Sequence, residues 1–359
     1  MRYGIIGCGM MGQEHIRNIQ LLNGASVAAI YEPDADMAAK AQALAPQAQL
    51  CDSVEALLLV PQLDTLLIAS PNDCHVGQLE EIARSRPLPV LVEKPLFTDP
   101  RDLPRLAALA KDYPALIWVA MEYRYMPPIA RFLEMAAEAT GGVQMLTIRE
   151  HRFPFLHKVG HWNRFNARTG GTMVEKCCHF FDLMRLTLGS EPVRVAASGG
   201  QAVNHKDERY GGAVPDIWDH GYVIADFASG ARAMLELSMF AEGARYQEEI
   251  SAVGGAGKIE AMVPGPTRFW PDHLGAPPIP RVVISPRRPK GPQEIDLPVD
   301  PNLLEAGDHN GSTFYQHARF LDMVQSGGRP EVSLQDGIAA VQLGLAAQQA
   351  AREQTVVTL

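Results

Sequence analysis

Apolar and polar positions follow two different rhythms along this chain, and the change falls near residue 122. Before it, short apolar runs recur: Tyr3-Gly4-Ile5-Ile6, Val27 to Tyr31, Leu63 to Ala69, Pro89 to Val92 and Ala115 to Met121. Runs this short and continuous read as strands buried on both faces. Between them lie helical stretches: Gln13 to Leu22, Asp34 to Leu44, Ser53 to Leu59 with Ser53 as N-cap, a helix after His75 through Ala83, and Pro100 to Asp112. Strand–helix alternation predicts a parallel, doubly wound sheet that holds its ligand at the carboxyl ends of the strands. Glu32, Ser70-Pro71-Asn72-Asp73-Cys74-His75, Glu93-Lys94 and Met121-Glu122 all fall at such ends.

Beyond residue 122 the pattern changes. Met126 to Ala139 reads as a helix broken by Gly141-Gly142. Alternating runs follow at Val143 to Glu150, Val193 to Gly199, Gly221 to Phe227, Ala231 to Phe240, Glu248 to Val253 and Val282 to Ser285. They predict a mostly antiparallel sheet. Prolines crowd the stretch from Pro264 to Pro301, which suits loops and edge strands. A helix from Thr313 to Gln325 stops at Gly327-Gly328. Another starts at the capping box Ser333-Leu334-Gln335-Asp336, runs to about Arg352 and precedes a last strand, Thr355 to Leu359. With 359 residues the chain exceeds one typical core. An α/β fold of two domains is expected, 1–122 around the parallel sheet and 123–359 around the antiparallel one. No internal repeat is present.

The turn after the first strand carries Gly7-Cys8-Gly9-Met10-Met11-Gly12. Three spaced glycines alone are weak evidence, but here a strand precedes them, a helix follows, and the second strand ends in Glu32, about twenty positions past Gly12. Gly7 would allow the tight turn, Gly9 the approach of backbone to a pyrophosphate, and Gly12 close helix–strand packing. The pyrophosphate would sit on the helix N-terminus, and Glu32 would accept the ribose hydroxyls of an adenosine. The bland alternative is an ordinary βαβ turn. Glu32 would repel a 2′-phosphate, and Pro33-Asp34 supplies no arginine to neutralise one, so NAD is expected over NADP unless Arg164 or Arg168 reaches round.

Composition narrows the class. A hydrophobic fraction of 47% with 20% charged residues is globular. A net charge of −9 without basic runs argues against nucleic acid. Cys8, Cys51, Cys74, Cys177 and Cys178 form an odd set without C-x-x-C spacing, so neither a disulfide framework nor a zinc site is expected. No apolar stretch approaches membrane-spanning length, and a strand from residue 3 leaves no room for a signal peptide. A cytoplasmic protein is expected.

Two constellations carry candidate chemistry. Lys94 ends a buried strand at the ligand edge, where an ammonium can meet a substrate oxygen; the alternative is an ion pair with Glu93. In Glu175-Lys176-Cys177-Cys178-His179-Phe180-Phe181-Asp182, helical spacing puts Glu175, His179 and Asp182 within roughly 60° of one another. Cys177, Phe181, Met184 and Leu188 form the opposite apolar stripe. The polar face is a candidate acid/base site. A solvated face is the alternative, and three ligands without a completing set make no metal site. His75 is placed on the cofactor loop, with a local turn cap as the alternative. The stretch Arg149 to Arg168, with Arg152, Lys158 and Arg164, reads as anion-binding, as a solvated face or as an oligomer contact. Trp218, His220 and His309-Asn310 are weaker candidates for the pocket.

Taken together, GIIGCGMMG, Glu32, SPNDCH at Ser70 to His75, EKP at Glu93 to Pro95, Tyr123-Arg124-Tyr125 with Pro127, Trp162 with Arg164, Gly170-Gly171, Glu175 to Asp182 and VSLQDGIAAVQL resemble the glucose–fructose oxidoreductase/inositol dehydrogenase family over nearly the full length. The resemblance implies a Rossmann domain and a C-terminal α/β domain whose open sheet forms an oligomer interface, so a homodimer or homotetramer is expected. It implies an NAD(P)-dependent enzyme acting on a small polyhydroxylated compound: a sugar, cyclitol or sugar acid. It also implies a cis Lys94-Pro95 bond. The cofactor would meet Gly7, Gly9, Met10, Met11, Gly12, Glu32, Ser70, Pro71, Asn72, His75, Glu93, Lys94 and Glu122. Substrate would lie over Lys94, Tyr123, Glu175 and His179, lined by Trp162 and Arg164. His179 is the expected general base, Lys94 the charge stabiliser and Glu175 an orienting acid, with the reverse split of base and stabiliser kept open. The family usually carries Asp-x-x-x-His here, with glycine in place of Cys177; Glu175 and the extra Lys176 depart from it. Two other classes remain: an enzyme that oxidises transiently, eliminates or hydrolyses, and regenerates its NAD, and an NAD-binding sensor. The presence of both Lys94 and His179 argues against the sensor.

Overall fold

Six short strands pair side by side in parallel: β1 (Arg2–Ile6), β2 (Ser26–Tyr31), β3 (Gln49–Cys51), β4 (Thr65–Ile68), β5 (Val90–Val92) and β6 (Ile117–Val119). The computed structural model describes all 359 residues. The strand order is β3-β2-β1-β4-β5-β6, so the chain reverses direction across the sheet between β1 and β4. That reversal opens the crevice where doubly wound sheets hold dinucleotides. The strands are buried almost throughout, which is why they read as continuous apolar runs. β3 escapes that reading: it is an edge strand of three residues, two of them exposed.

The second sheet has nine strands in the order β14-β13-β12-β11-β7-β10-β9-β8-β15. They are β7 (Val143–His151), β8 (Pro192–Gly200), β9 (His220–Phe227), β10 (Arg232–Ser238), β11 (Glu248–Gly254), β12 (Gly257–Val263), β13 (Arg281–Pro286), β14 (Gln293–Asp296) and β15 (Val357–Thr358). Every pairing is antiparallel except β7 with β10. Beyond β3, the elements outside the sequence reading include β12, β14, a one-turn helix over Asn166–Thr169 and a helix over Pro301–Ala306 capped by Asp300. β14 is the edge strand of the proline-rich stretch. One face of the sheet carries the helices Pro127–Thr140, Cys178–Leu188 and Leu334–Glu353. The other is open, with Met145, Tyr222, Ile224 and Val253 exposed.

The two sheets are stitched together by the C-terminal helices. Ser312–Ser326 packs on the Met10–Gln20 helix, and Leu334–Glu353 reaches both β6 and β8. At Gly337 an added Cβ would lie 2.9 Å from Val119, so a larger residue would push the helix off the first sheet. Ser333 and Asp336 form the expected capping box. No helix is long and apolar enough to cross a membrane.

Candidate active site

Gly7 leaves β1 at φ +88°, and an added Cβ there would lie 2.5 Å from the Ser70 backbone. Gly12 faces the Gly7 carbonyl, 2.4 Å from an added Cβ, so helix and strand touch through glycine alone. Gly9 differs: nothing lies within 4 Å of its added Cβ. It opens onto a cleft of about 640 Å³ lined also by Gly7, Met10 and Met11. The Met10–Gln20 helix starts there without a side-chain cap, leaving its first N–H groups for an anion. Glu32 stands at the cleft wall, its carboxylate accepting the Cys8 and Asp34 backbone N–H groups. Open space at Gly9, free amides and a rim carboxylate together fit a dinucleotide.

Ser70, Pro71, Asn72, Glu93, Lys94 and Trp162 also line this cleft. A chamber of about 100 Å³ adjoins it, and Met10, Met11, Lys94, Lys158 and Glu175 face both spaces. Lys94 Nζ donates to the Glu175 carbonyl at 3.0 Å, and the Lys94-Pro95 peptide is cis. Burial opposes the Lys94 charge, but Glu175, Cys178, Glu93 and Glu122 hold its pKa above the ordinary lysine value. Glu175 accepts from Asn72 and lies 3.8 Å from Lys158 Nζ. Against burial, Lys94 and Lys158 hold its carboxyl low. His179 stacks on Tyr123 with centroids 4.0 Å apart and planes 8° from parallel. Burial, then Lys94, Lys176, His309 and Arg152, push its pKa well down, so the imidazole is neutral. Its Nδ1 is buried without a hydrogen-bond partner.

The structure corrects five readings. The segment around Glu175 is two helices, Thr172–Glu175 and Cys178–Leu188, joined by a widened turn in which Cys177 N–H reaches the Thr172 carbonyl at 3.4 Å. All of it from Thr172 to Met184 is buried, so no face is solvated. Asp182 does not line the chamber: both arms of Arg124 bind it. Arg164 does not line cleft or chamber: its guanidinium donates to Glu208 at 2.9 Å and to the Leu156 carbonyl at 3.4 Å. His75 does not line the cleft either; its two ring nitrogens meet the Pro95 and Ser70 carbonyls at 2.9 and 3.1 Å and tie two strand-end loops together. Glu122 lies in the chamber rather than the cofactor cleft, sharing the Thr313 hydroxyl with Glu14 and facing His309.

Other residues enter the site without having been singled out for it. Lys176 is buried 2.8 Å from Glu150, lies over the Tyr123 ring and bonds its hydroxyl. Gln247 and Glu248 join it on the chamber wall, beside Arg152 and Lys158 of the basic stretch. A charge adjoining an expected catalytic acid was the one signal for Lys176; the partners come from β7 and β11, about 25 and 70 residues away. Behind Glu93 runs a fully buried chain: Tyr3 hydroxyl to His317 Nδ1 at 3.1 Å, His317 Nε2 to His15 Nδ1 at 2.8 Å, and His15 Nε2 to Glu93 at 2.8 Å. Cys177 and Cys178 are buried with pKa values pushed up, Cys178 to about 12, and are packing residues.

Comparison with known proteins agrees with this architecture. Residues 1–121 match the family described as "Oxidoreductase family, NAD-binding Rossmann fold", and residues 137–359 match its C-terminal alpha/beta domain. The myo-inositol 2-dehydrogenase of Thermotoga maritima is 25% identical over 362 aligned positions, covering 100% of this chain and 98% of that protein. The rhizopine catabolism protein MocA of Rhizobium meliloti is 26% identical, covering 75% of this chain and 79% of its own. A levoglucosan dehydrogenase, solved with NADH and levoglucosan, superposes with a TM-score of 0.81 at 19% identity, covering 100% of this chain and 99% of that one; it shows the shared fold. With both family domains matched in order and the glycine turn, cleft and second sheet in place, the chain belongs to the Gfo/Idh/MocA family of NAD-binding oxidoreductases.

Proposed function

We propose that this protein oxidises a hydroxyl carbon of a sugar, cyclitol or sugar acid with NAD. The observation that carries the reading is the convergence of Lys94 and His179 on one chamber continuous with the dinucleotide cleft. When bound, NAD supplies the hydride acceptor. Neutral His179 takes the hydroxyl proton directly, and Lys94, held cationic, stabilises the developing alkoxide. Glu175 orients the substrate and keeps Lys94 charged. Tyr123 fixes the plane of the imidazole by stacking on it. Met10 and Met11 stand where the two spaces meet.

The open face of the second sheet, with Met145, Tyr222 and Ile224 exposed, supports assembly as a homodimer or homotetramer, to be read by sedimentation. The functional test is a screen of cyclitols, aldoses and sugar acids that follows NADH absorbance with product analysis. Net NADH and a carbonyl product are expected. Turnover without net NADH would replace this reading with transient oxidation, and absence of any turnover across the screen would count against the class of substrate.

A further inference from the structure

Five cationic side chains face the chamber: Lys94, Arg152, Lys158, Lys176 and His309. Two of them hold donors that the protein itself does not use. Within the basic stretch 149–168, Arg149 is bound by Glu236 and Glu249, Arg164 by Glu208 and Arg168 by Asp73. Arg152 and Lys158 are left. The Arg152 guanidinium makes one hydrogen bond, Nε to the Phe153 carbonyl at 3.2 Å, and a looser 3.5 Å ion pair with Glu150. Lys158 donates no hydrogen bond; it rests 4.5 Å over the Trp162 ring and 3.8 Å from Glu175. Their side chains are 13% and 25% exposed, so both are largely withdrawn from the outer surface. Donors withdrawn from water without acceptors are costly, and the chamber they face is where an acceptor would enter.

The carboxylates do not consume this capacity. Glu150 lies fully buried and is shared by Lys176 and Arg152. The Glu175 carboxylate accepts from Asn72 and lies 3.8 Å from Lys158, while Lys94 bonds the Glu175 backbone carbonyl; Glu14 and Glu122 both face His309. Asp308, also on the wall, is paired with Arg268. Glu248 remains; burial and the Glu150 charge push its carboxyl up to about 7, which weakens it as a counter-ion near neutral pH. Burial and mutual repulsion also hold the Lys158 and Lys176 ammonium groups below the ordinary lysine value, a strain that an arriving anion relieves.

Resting on the dehydrogenase reading above, we propose that the substrate is a sugar acid whose carboxylate is received by Arg152 and Lys158 while its reacting carbon lies against Lys94 and His179. The planar guanidinium fork suits a carboxylate, and a phosphate, the other anion it would receive, is the competing outcome of the test.

The test is steady-state NADH production by the full chain with NAD and matched sets of substrates: an aldose or cyclitol, the corresponding aldonate or uronate, and the corresponding sugar phosphate. The acid is expected to exceed its neutral counterpart in kcat/KM by about 100-fold, the scale set by a charge-assisted hydrogen bond. Arg152→Gln is expected to cut that ratio by about 10–100-fold, mainly through KM, while its NAD titration reports an intact fold. Should Arg152→Gln not fold, Lys158→Gln, which removes no hydrogen bond, is expected to lower the same ratio. A neutral polyol used as well as its acid overturns the proposal and leaves the dehydrogenase reading standing. A preferred sugar phosphate overturns the carboxylate assignment. No NADH from any member of any set removes the dehydrogenase reading, and the proposal with it.

Discussion

At the scale of single residues, the site sets an imidazole held neutral beside an ammonium held charged. Two neighbouring groups whose pKa values are driven in these directions divide labour between proton acceptor and charge stabiliser. His179→Ala is therefore expected to lower turnover by about 10²–10⁴. NAD affinity should persist, because His179 faces the chamber and not the cleft. Lys94→Ala is expected to do comparable damage to turnover. Near-normal turnover of either variant on its true substrate would remove that residue from the mechanism. Lys94 could be picked from sequence because it ends a buried strand, and His179 because it stands four positions past an acid, although the break at Lys176-Cys177 puts that acid on a separate helix. Arg164 could not, since its direction is set by Glu208, which the chain delivers 44 positions later.

At the scale of elements, the glycine turn shows why β1 and its helix tolerate so little change. An added methyl at Gly12 would lie 2.4 Å from the Gly7 carbonyl. Gly12→Ala should thus displace the helix start, weakening NAD binding, read by calorimetric titration, as well as stability, read by thermal unfolding. An unchanged NAD affinity would show that the turn absorbs the methyl without moving. Glu32 acts on cofactor choice through the same turn: its carboxylate is anchored to two backbone amides, so it cannot easily swing away from a 2′-phosphate. NAD is expected to bind more tightly than NADP. Equal or tighter NADP binding in the same titration would overturn that preference. The elements legible in the sequence are the long or strongly patterned ones, down to the Ser333 capping box. β3 and β14 were not, being short edge strands half open to water, where pattern is weakest. β12 does alternate, and it lay between two strands already recognised. The break at Lys176-Cys177 carries no glycine or proline, so nothing local announces it.

At the scale of the whole molecule, buried polar links join segments about 300 residues apart, and no local pattern can show them. His317 receives Tyr3 and meets His15, while His309 is paired with Glu14 at 2.8 Å on the same N-terminal helix. His317→Leu would leave the Tyr3 hydroxyl and His15 Nδ1 buried without partners, an expected loss of about 1–3 kcal/mol in denaturant unfolding; a neutral result would mean the core repacks around the gap. The Glu14–His309 pair makes a further demand, on pH. Glu122 and Glu14 outweigh burial and raise His309 to about 9, whereas His309 and the Asp308 amide lower Glu14 to about 2. A raised histidine contributes stability that is complete below its unfolded value, about 6.5, and is lost as pH climbs through 9. A lowered carboxyl contributes stability that is complete above about 4.5 and is lost as pH falls through 2. The pair therefore stabilises the fold fully between about pH 4.5 and 6.5, and weakens on either side. Glu248, raised to about 7, acts separately: its ionisation is opposed in the fold, so it lowers stability progressively between about pH 4.5 and 7 and contributes no further change above that. His309→Gln should lower Tm more at pH 6 than at pH 9.5, where the native imidazole is already losing its proton. Equal losses at the two pH values would mean that His309 stabilises the protein by packing alone.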